Sequence, residues 1–207
     1  MKLTIISDTH GQHDKLTDLC GDVLIHCGDM FNIFGEQDGE LKRMDEWFGQ
    51  QDFDLILCTG GNHDFTLEQH VEFIEQPFKN AIFLAGTSYL YGGIKFYGAP
   101  WIPELRGQAF YCDDDELQRR WFDIPEDVDV LITHTPPAGI MDVSSKGYSL
   151  GCPHLMAAIE TYQPQVHCFG HVHASSGELV MDGIRYVNAA SVNSRYELAR
   201  PPWEVML

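Results

Sequence analysis

Seven side chains able to give an electron pair to a metal ion stand in five short groups along the chain: Asp8 with His10, Asp29, Asn62, His134, and His171 with His173. Each group follows a short apolar run. KLTIIS (2–7) leads into Asp8, and DVLIHC (22–27) into Gly28-Asp29. DLILC (54–58) leads through Thr59-Gly60-Gly61 to Asn62-His63-Asp64, DVLIT (129–133) to His134, and QVHCF (165–169) through Gly170 to His171 and His173. Carboxylate and amide oxygens with imidazole nitrogens suit hard-to-borderline divalent cations such as manganese, zinc or iron, and no thiolate is in the set. Seven donors exceed what one site with open positions needs. Two ions roughly 3.5–4 Å apart, sharing a carboxylate, fit better. Asp29 stands alone after its run and is the natural bridge. Two dications outweigh two carboxylates and a bridging hydroxide by roughly one charge, which makes such a site an anion trap in an otherwise acidic chain.

The elements that must position these groups are legible as alternating patterns. The five apolar runs are rich in β-branched residues and have the length of buried strands. Ligands bind outside the carboxyl ends of strands in open α/β sheets, so five strands side by side would bring all the groups to one rim. Between them, residues 37–48 place Leu41, Met44, Trp47 and Phe48 at helical spacing, and 154–162 place Leu155, Met156, Ile159 and Tyr162 likewise. A third helix is expected over 115–122, stopped before Pro125. SYLYGGIKFYG (88–98) and GELVMDGIRYVN (177–188) read as hairpins turning at Gly-Gly and Asp-Gly. The tail RPPWEVML ends as a short edge strand. Strand–helix alternation with antiparallel additions predicts a layered α/β fold with mixed sheets, and the 207 residues suit a single domain, 1–207.

Blander readings compete with the chemical one. A histidine after a strand usually caps a turn or bonds a carbonyl, and His13, His26, His70, His154 and His167 are read that way. Asp-x-His alone is a weak signal, and Asn-His-Asp alone suits a turn. Five signals in order, each at a strand end, are hard to obtain from turn chemistry. The net charge of −18, from 13 basic and 31 acidic residues, repels phosphate backbones and excludes long nucleic acid as an expected partner. No apolar stretch approaches the roughly 20 residues that span a bilayer, and the N-terminus lacks the pattern of a secretory signal; a cytoplasmic location without membrane partners is expected. Six cysteines form no C-x-x-C pair and are read as buried, reduced thiols.

The series ISDTHG (6–11), GDMFN (28–32), GGNHDF (60–65), THTPP (133–137) and GHVH (170–173) resembles the calcineurin-like metallophosphoesterases, whose pattern is D-x-H, G-D, G-N-H-[DE], H and G-H-x-H. GDMFNIFG, THTPPAGIMD, Gly151-Cys152 and YVNAAS (186–191) look like the small phosphodiesterase subgroup that includes the metallophosphoesterase-domain-containing proteins. Some members of that subgroup lack the last histidine of G-H-x-H; this chain keeps it as His173. The resemblance implies a four-layer sandwich, two mixed β-sheets flanked by helices. It implies that Asp8, His10 and His173 hold one divalent ion and Asn62, His134 and His171 the other, with Asp29 bridging. Manganese is favoured, and iron, zinc, nickel or cobalt are alternatives. His63 would bind no metal and would instead be catalytic, stabilising the phosphoryl transition state and protonating the leaving group.

Protein serine/threonine phosphatases carry G-D-x-x-D-R-G, where this chain reads Gly28-Asp29-Met30-Phe31-Asn32. Without that arginine a doubly charged monoester loses a bidentate partner, which tilts the expectation toward diesters. The expected activity is hydrolysis of small phosphodiesters, such as cyclic nucleotides, by in-line attack of a metal-bridging hydroxide. A nuclease, a phosphomonoesterase or a non-catalytic scaffold of the same fold are the alternatives. Asn32 is expected to fix the loop after Asp29 and Asp64 to order its turn. Loops 30–40, 98–112 and 138–151 should wall the pocket; Trp101, Tyr111 and Tyr148 could stack a base or pack against the core, and the core reading is favoured for each.

Overall fold

The apolar runs fold as strands, in two sheets rather than one. A computed structural model describes residues 1–32, 39–71, 76–103 and 105–207. One sheet contains β1 (Lys2–Ile6), β2 (Val23–His26), β3 (Leu55–Cys58) and β4 (Ile82–Phe83), all parallel. The tail strand β11 (Trp203–Met206) pairs antiparallel with β1 at the edge of this sheet. The other runs in the order β5 (Thr87–Tyr91), β6 (Ile94–Ala99), β7 (Val130–Thr133), β8 (Val166–Phe169), β10 (Ile184–Asn188), β9 (Gly177–Met181). Its four central strands are parallel, and the edge strands β5 and β9 are the antiparallel arms of the two expected hairpins. Those hairpins turn at Gly92-Gly93 and Asp182-Gly183, each pair with positive φ, as two-residue turns of this hand require.

Every residue of β2, β3, β7 and β8 is buried, so each strand must be covered on both faces. Leu3, Ile5, Val23, Ile25 and Leu57 meet Phe96, Val130, Ile132, Val166 and Val187 between the two sheets. The alternate residues face outward. Ile6, Leu24 and Ile56 lie under Met44, Trp47 and Phe48 of α1 (Glu40–Phe48). Leu131, Phe169 and Tyr186 lie under α3 (Asp114–Trp121) and α4 (Pro153–Tyr162). The result is the four-layer sandwich with helices outside.

The single rim expected from five adjacent strands is therefore corrected: β1, β2 and β3 belong to one sheet and β7 and β8 to the other. A strand apolar on both faces cannot tell, from its own residues, which sheet it will join. The two sheets meet at their carboxyl ends, where Ser7 bridges to Ala190 and the Ser191 N–H donates to Ser7 O at 2.9 Å.

The helix expected from 37 begins at Glu40 among the described residues; 37 and 38 lie outside them. Asp113 caps α3 by accepting the Glu116 N–H at 2.9 Å, and Pro153 opens α4. The short helix α2 (Phe65–Val71) and strand β4 were not anticipated. Five cysteines are buried as free thiols, but Cys20 is exposed. Tyr148 is also no core residue, since it is 66% exposed. Among the described residues no helix is long and apolar enough to cross a membrane.

Candidate metal centre

All seven proposed ligands converge at the seam between the sheets, on the loops that leave β1, β2, β3, β7 and β8. They form two clusters around Asp29. On one side His173 Nε2 lies 3.1 Å from Asp8 Oδ1 and 3.3 Å from His10 Nε2, with His10 Nε2 3.8 Å from Asp29 Oδ2. On the other, the Asn62 side-chain oxygen lies 3.1 Å from His134 Nε2 and 2.9 Å from His171 Nδ1, with His134 Nε2 3.4 Å from Asp29 Oδ1. Asp29 thus presents one carboxylate oxygen to each cluster. Asp8, His10, Asp29, Asn62 and His134 are all buried.

The backbone is bent to aim these groups. Asp8, His10, Asp29 and His171 all have positive φ, between 45° and 68°, a region that costs a non-glycine residue about 1–3 kcal/mol. Hydrogen bonds between the loops hold them there. Asp8 N–H donates to Gly28 O at 2.9 Å and His10 N–H to Asp29 O at 3.1 Å. His63 N–H donates to Asp29 Oδ1 at 2.8 Å, and His171 N–H is shared by both oxygens of Asp8 at 3.1 and 3.0 Å. Two glycines make room. A Cβ on Gly61 would collide with Asp29, and one on Gly170 with Ser7 and the Asp8 carboxylate.

The donor set fits divalent ions on its own chemistry. His134 Nδ1 bonds Cys27 O at 2.8 Å, and a carbonyl can only accept, so the proton is on Nδ1. The Nε2 lone pair then points at the oxygens of Asn62 and Asp29. His10 repeats this, with Nδ1 on Phe31 O at 3.3 Å and Nε2 turned to His173 and Asp29. Buried lone pairs facing buried acceptors repel unless a cation lies between them. Without one, a proton is drawn in. Burial opposes charge on His134, yet the Asp29 carboxylate and its hydrogen bond raise the imidazole to about 9. Burial also works against the Asp8 ion, and the His173 hydrogen bond and charge nevertheless keep it below the usual carboxylate range.

His63 stands over the site. Its Nε2 is 3.9 Å from Asp29 Oδ2, and its ring meets His10 edge-on at 4.6 Å between centroids. Its Nδ1 is buried without a hydrogen-bond partner. Three-residue groups able to hold an ion are Asp8–His10–His173, Asp8–Asp29–His134 and also His10–Asp29–His63, so proximity alone does not separate His63 from the ligands. Burial lowers its pKa, with Asp29 opposing.

The supporting residues behave as structural groups. Asn32 donates to His10 O at 2.8 Å, and Asp64 accepts the N–H groups of Phe31 at 3.0 Å and Gly61 at 2.9 Å. His26 accepts the Gly28 N–H and bonds Thr9 behind the Asp8 loop; His167 bonds Thr133 behind His134. His70 and His154 bond Thr66 O and Asp114 at the surface, and His13 packs edge-on against Trp47. Arg120 lies 3.7 Å over the half-buried Trp101 ring, away from the centre.

A cavity of about 280 Å³ opens above the centre, walled by Leu105, Ser144, Ser145, Leu150, Ser194 and Tyr196. The first four come from loops expected to wall the pocket. Ser194 and Tyr196 come from a turn near the C-terminal end that no motif in the sequence singled out. A larger cleft of about 480 Å³, lined by Gly11, His13, Arg43 and Trp47 among others, holds none of the seven groups.

The calcineurin-like phosphoesterase profile matches residues 1–175. Human metallophosphoesterase domain-containing protein 1 is 33% identical over 97% of this chain and 69% of its own length. A phosphopantetheinyl hydrolase from Mycobacterium tuberculosis superposes with a TM-score of 0.61 at 14% identity, over 94% of this chain and 90% of that one. A dimetal phosphatase from Danio rerio does so with a TM-score of 0.53 at 11% identity, over 91% and 86%. At such identities these two structures attest the fold. The family match over most of the chain and the motif-bearing loops gathered at one seam agree: this chain belongs to the calcineurin-like phosphoesterases, a family of metal-dependent phosphoester hydrolases.

Proposed function

We propose that this chain is a dinuclear phosphodiesterase acting on small esters, with Asp8, His10 and His173 holding one ion, Asn62, His134 and His171 the other, and Asp29 shared. The observation that carries the reading is the pair of acceptor clusters on either side of Asp29, each aimed inward by a fixed tautomer or a strained backbone. Two divalent ions, manganese favoured, would supply Lewis acidity to the phosphoryl group. His63 would offer a proton to the departing alkoxide from an imidazole nitrogen above the centre. Its backbone N–H meanwhile fixes the shared carboxylate of Asp29.

The cavity supports a diester over a monoester. Among the described residues that line it there is no lysine or arginine, so no side chain but histidine would add to the charge of the ions for a second phosphate ionisation. The 280 Å³ volume suits a small ester such as a cyclic nucleotide, and the −18 charge disfavours long nucleic acid. The six free cysteines accord with a reducing, cytoplasmic setting.

The test is hydrolysis of bis(p-nitrophenyl) phosphate and p-nitrophenyl phosphate by chelator-treated protein before and after Mn²⁺ is restored. Activity should vanish on chelation, return with Mn²⁺, and show the higher kcat/KM for the diester. Full activity in metal-stripped protein overturns the metal reading, and a clear monoester preference overturns the diester one.

A further inference from the structure

Tyr196 occupies a position that a loop residue does not take by default. Its φ is 61°, costly for a residue with a bulky aromatic side chain, and the residue is 48% exposed, so core burial does not offset the strain. The turn around it holds it in place. Asn193 N–H donates to Glu197 O and Tyr196 N–H to Asn193 O, both at 2.9 Å. The Asn193 side chain accepts from Arg195 N–H at 2.8 Å and Glu197 N–H at 3.2 Å, and donates to the Glu197 carboxylate at 2.8 Å. Gln12, beyond the Asp8–His10 loop, reaches across to donate to Tyr196 O at 3.0 Å.

What this turn delivers is a phenol ring above the metal centre. Its centroid lies 4.8 Å from His10, 5.2 Å from His173 and 6.0 Å from His63. None of the three is a parallel stack: the interplanar angles are 67°, 86° and 43°. Nearly half of the residue remains exposed, and it borders the cavity together with Leu105 and Leu150. A phosphate seated among the imidazoles would have to carry its organic group past this ring.

We propose that Tyr196 determines specificity: its ring is the wall on which the organic group of the ester stacks, so the site selects esters bearing a planar aromatic group. The inference rests on the phosphoesterase reading of the same site and adds the class of ester it prefers. Offset and edge-on aromatic pairs gain from ring quadrupole and dispersion beyond the area they bury. A phenyl or base-like group should therefore gain over an alkyl one, and the gain should belong to the ring and not to the hydroxyl.

The test is calorimetric binding of phenylphosphonate and methylphosphonate to Mn²⁺-loaded wild type, Tyr196→Phe, Tyr196→Leu and Tyr196→Ala, with metal content measured in each. Wild type should prefer phenylphosphonate. Tyr196→Phe should keep that preference, while Tyr196→Leu and Tyr196→Ala should lose about tenfold in phenylphosphonate affinity with methylphosphonate binding retained. Tyr196→Leu keeps bulk beside the imidazoles, so it carries the comparison if Tyr196→Ala sheds its metals. Equal losses for both probes would reduce Tyr196 to a prop for the ligands. A loss in Tyr196→Phe matching that in Tyr196→Ala would assign the effect to the hydroxyl. Either result, or no aryl preference in wild type, overturns the proposal. Because binding is read without turnover, a wild type inactive on diesters would defeat the proposed activity and still leave Tyr196 to be judged.

Discussion

Acid should loosen this protein through two histidines outside the proposed ligand set. His26 and His167 are fully buried, and burial lowers both to about 3. Their hydrogen bonds explain why the proton has no place to go. His26 Nδ1 accepts the Gly28 N–H at 3.3 Å, so protonating it would set two donors against each other. Thr133 gives its hydroxyl proton to Thr135 O, so it accepts from His167 Nε2; a proton on His167 Nδ1 would be buried without a partner.

The sign follows from which state takes up the proton. The unfolded imidazole has a pKa of about 6.5 and the folded one about 3, so between these values only the unfolded chain is charged, and stability falls as the pH drops. From pH 7 to pH 5 each histidine should cost about 2 kcal/mol by this linkage, and the two together about 4. The assay is urea unfolding of metal-free protein at both pH values for wild type, His26→Gln, His167→Gln and the double variant. Removing a buried hydrogen-bonding imidazole carries its own cost in stability, so the quantity of interest is the drop in stability between the two pH values. That drop should shrink by about 2 kcal/mol for each histidine removed. An unchanged drop would mean that these imidazoles are not held neutral, and the argument from their hydrogen bonds would fail.

The division between ligand and catalyst is tested by Asp29→Asn and His63→Ala. An amide at 29 leaves two dications poorly screened, so metal occupancy and activity should fall together in elemental analysis and kinetics. His63→Ala should keep its metals and lose on the order of 10²–10⁴ in rate, less for substrates with good leaving groups. Loss of metal in His63→Ala would instead favour the His10–Asp29–His63 grouping as a ligand set. Gly170→Ala should lower both melting temperature and metal content, by about 1–3 kcal/mol in stability, because its Cβ would displace Ser7 and the Asp8 carboxylate. Normal metal binding in that variant would show that the Asp8 loop is free to shift.

Much of the site was legible because each donor group is local to a strand end. An apolar β-branched run followed by Asp, His or Gly-Asn-His is a signal contained in about ten residues, and all five such runs became strands with their donors on the exit loop. Both hairpins, three helices and the edge strand of the tail were readable for the same reason: turn chemistry, capping and periodicity act between near neighbours. Asp64 and Asn32 could be read as ordering groups because both sit in short turns beside the ligands they support.

What the residue patterns did not determine, and only the family resemblance implied, is how the strands divide. β1–β3 and β7–β8 carry the same pattern of continuous burial, so nothing local distinguishes two facing sheets from one row of five. That choice is made by packing, with Leu3, Ile5 and Val23 buried against Phe96, Val130 and Val187. It changes the site from a rim to a seam, and so allows Asp29 to show one oxygen to each cluster. Tyr196 was invisible for a related reason. Its place above His10 and His173 depends on contacts between residues more than 180 positions apart in the chain, such as Gln12 with Tyr196 itself. Residue types and spacing therefore determined which groups are candidates for the chemistry; only the tertiary structure decided how they face one another and which residues wall the cavity above them.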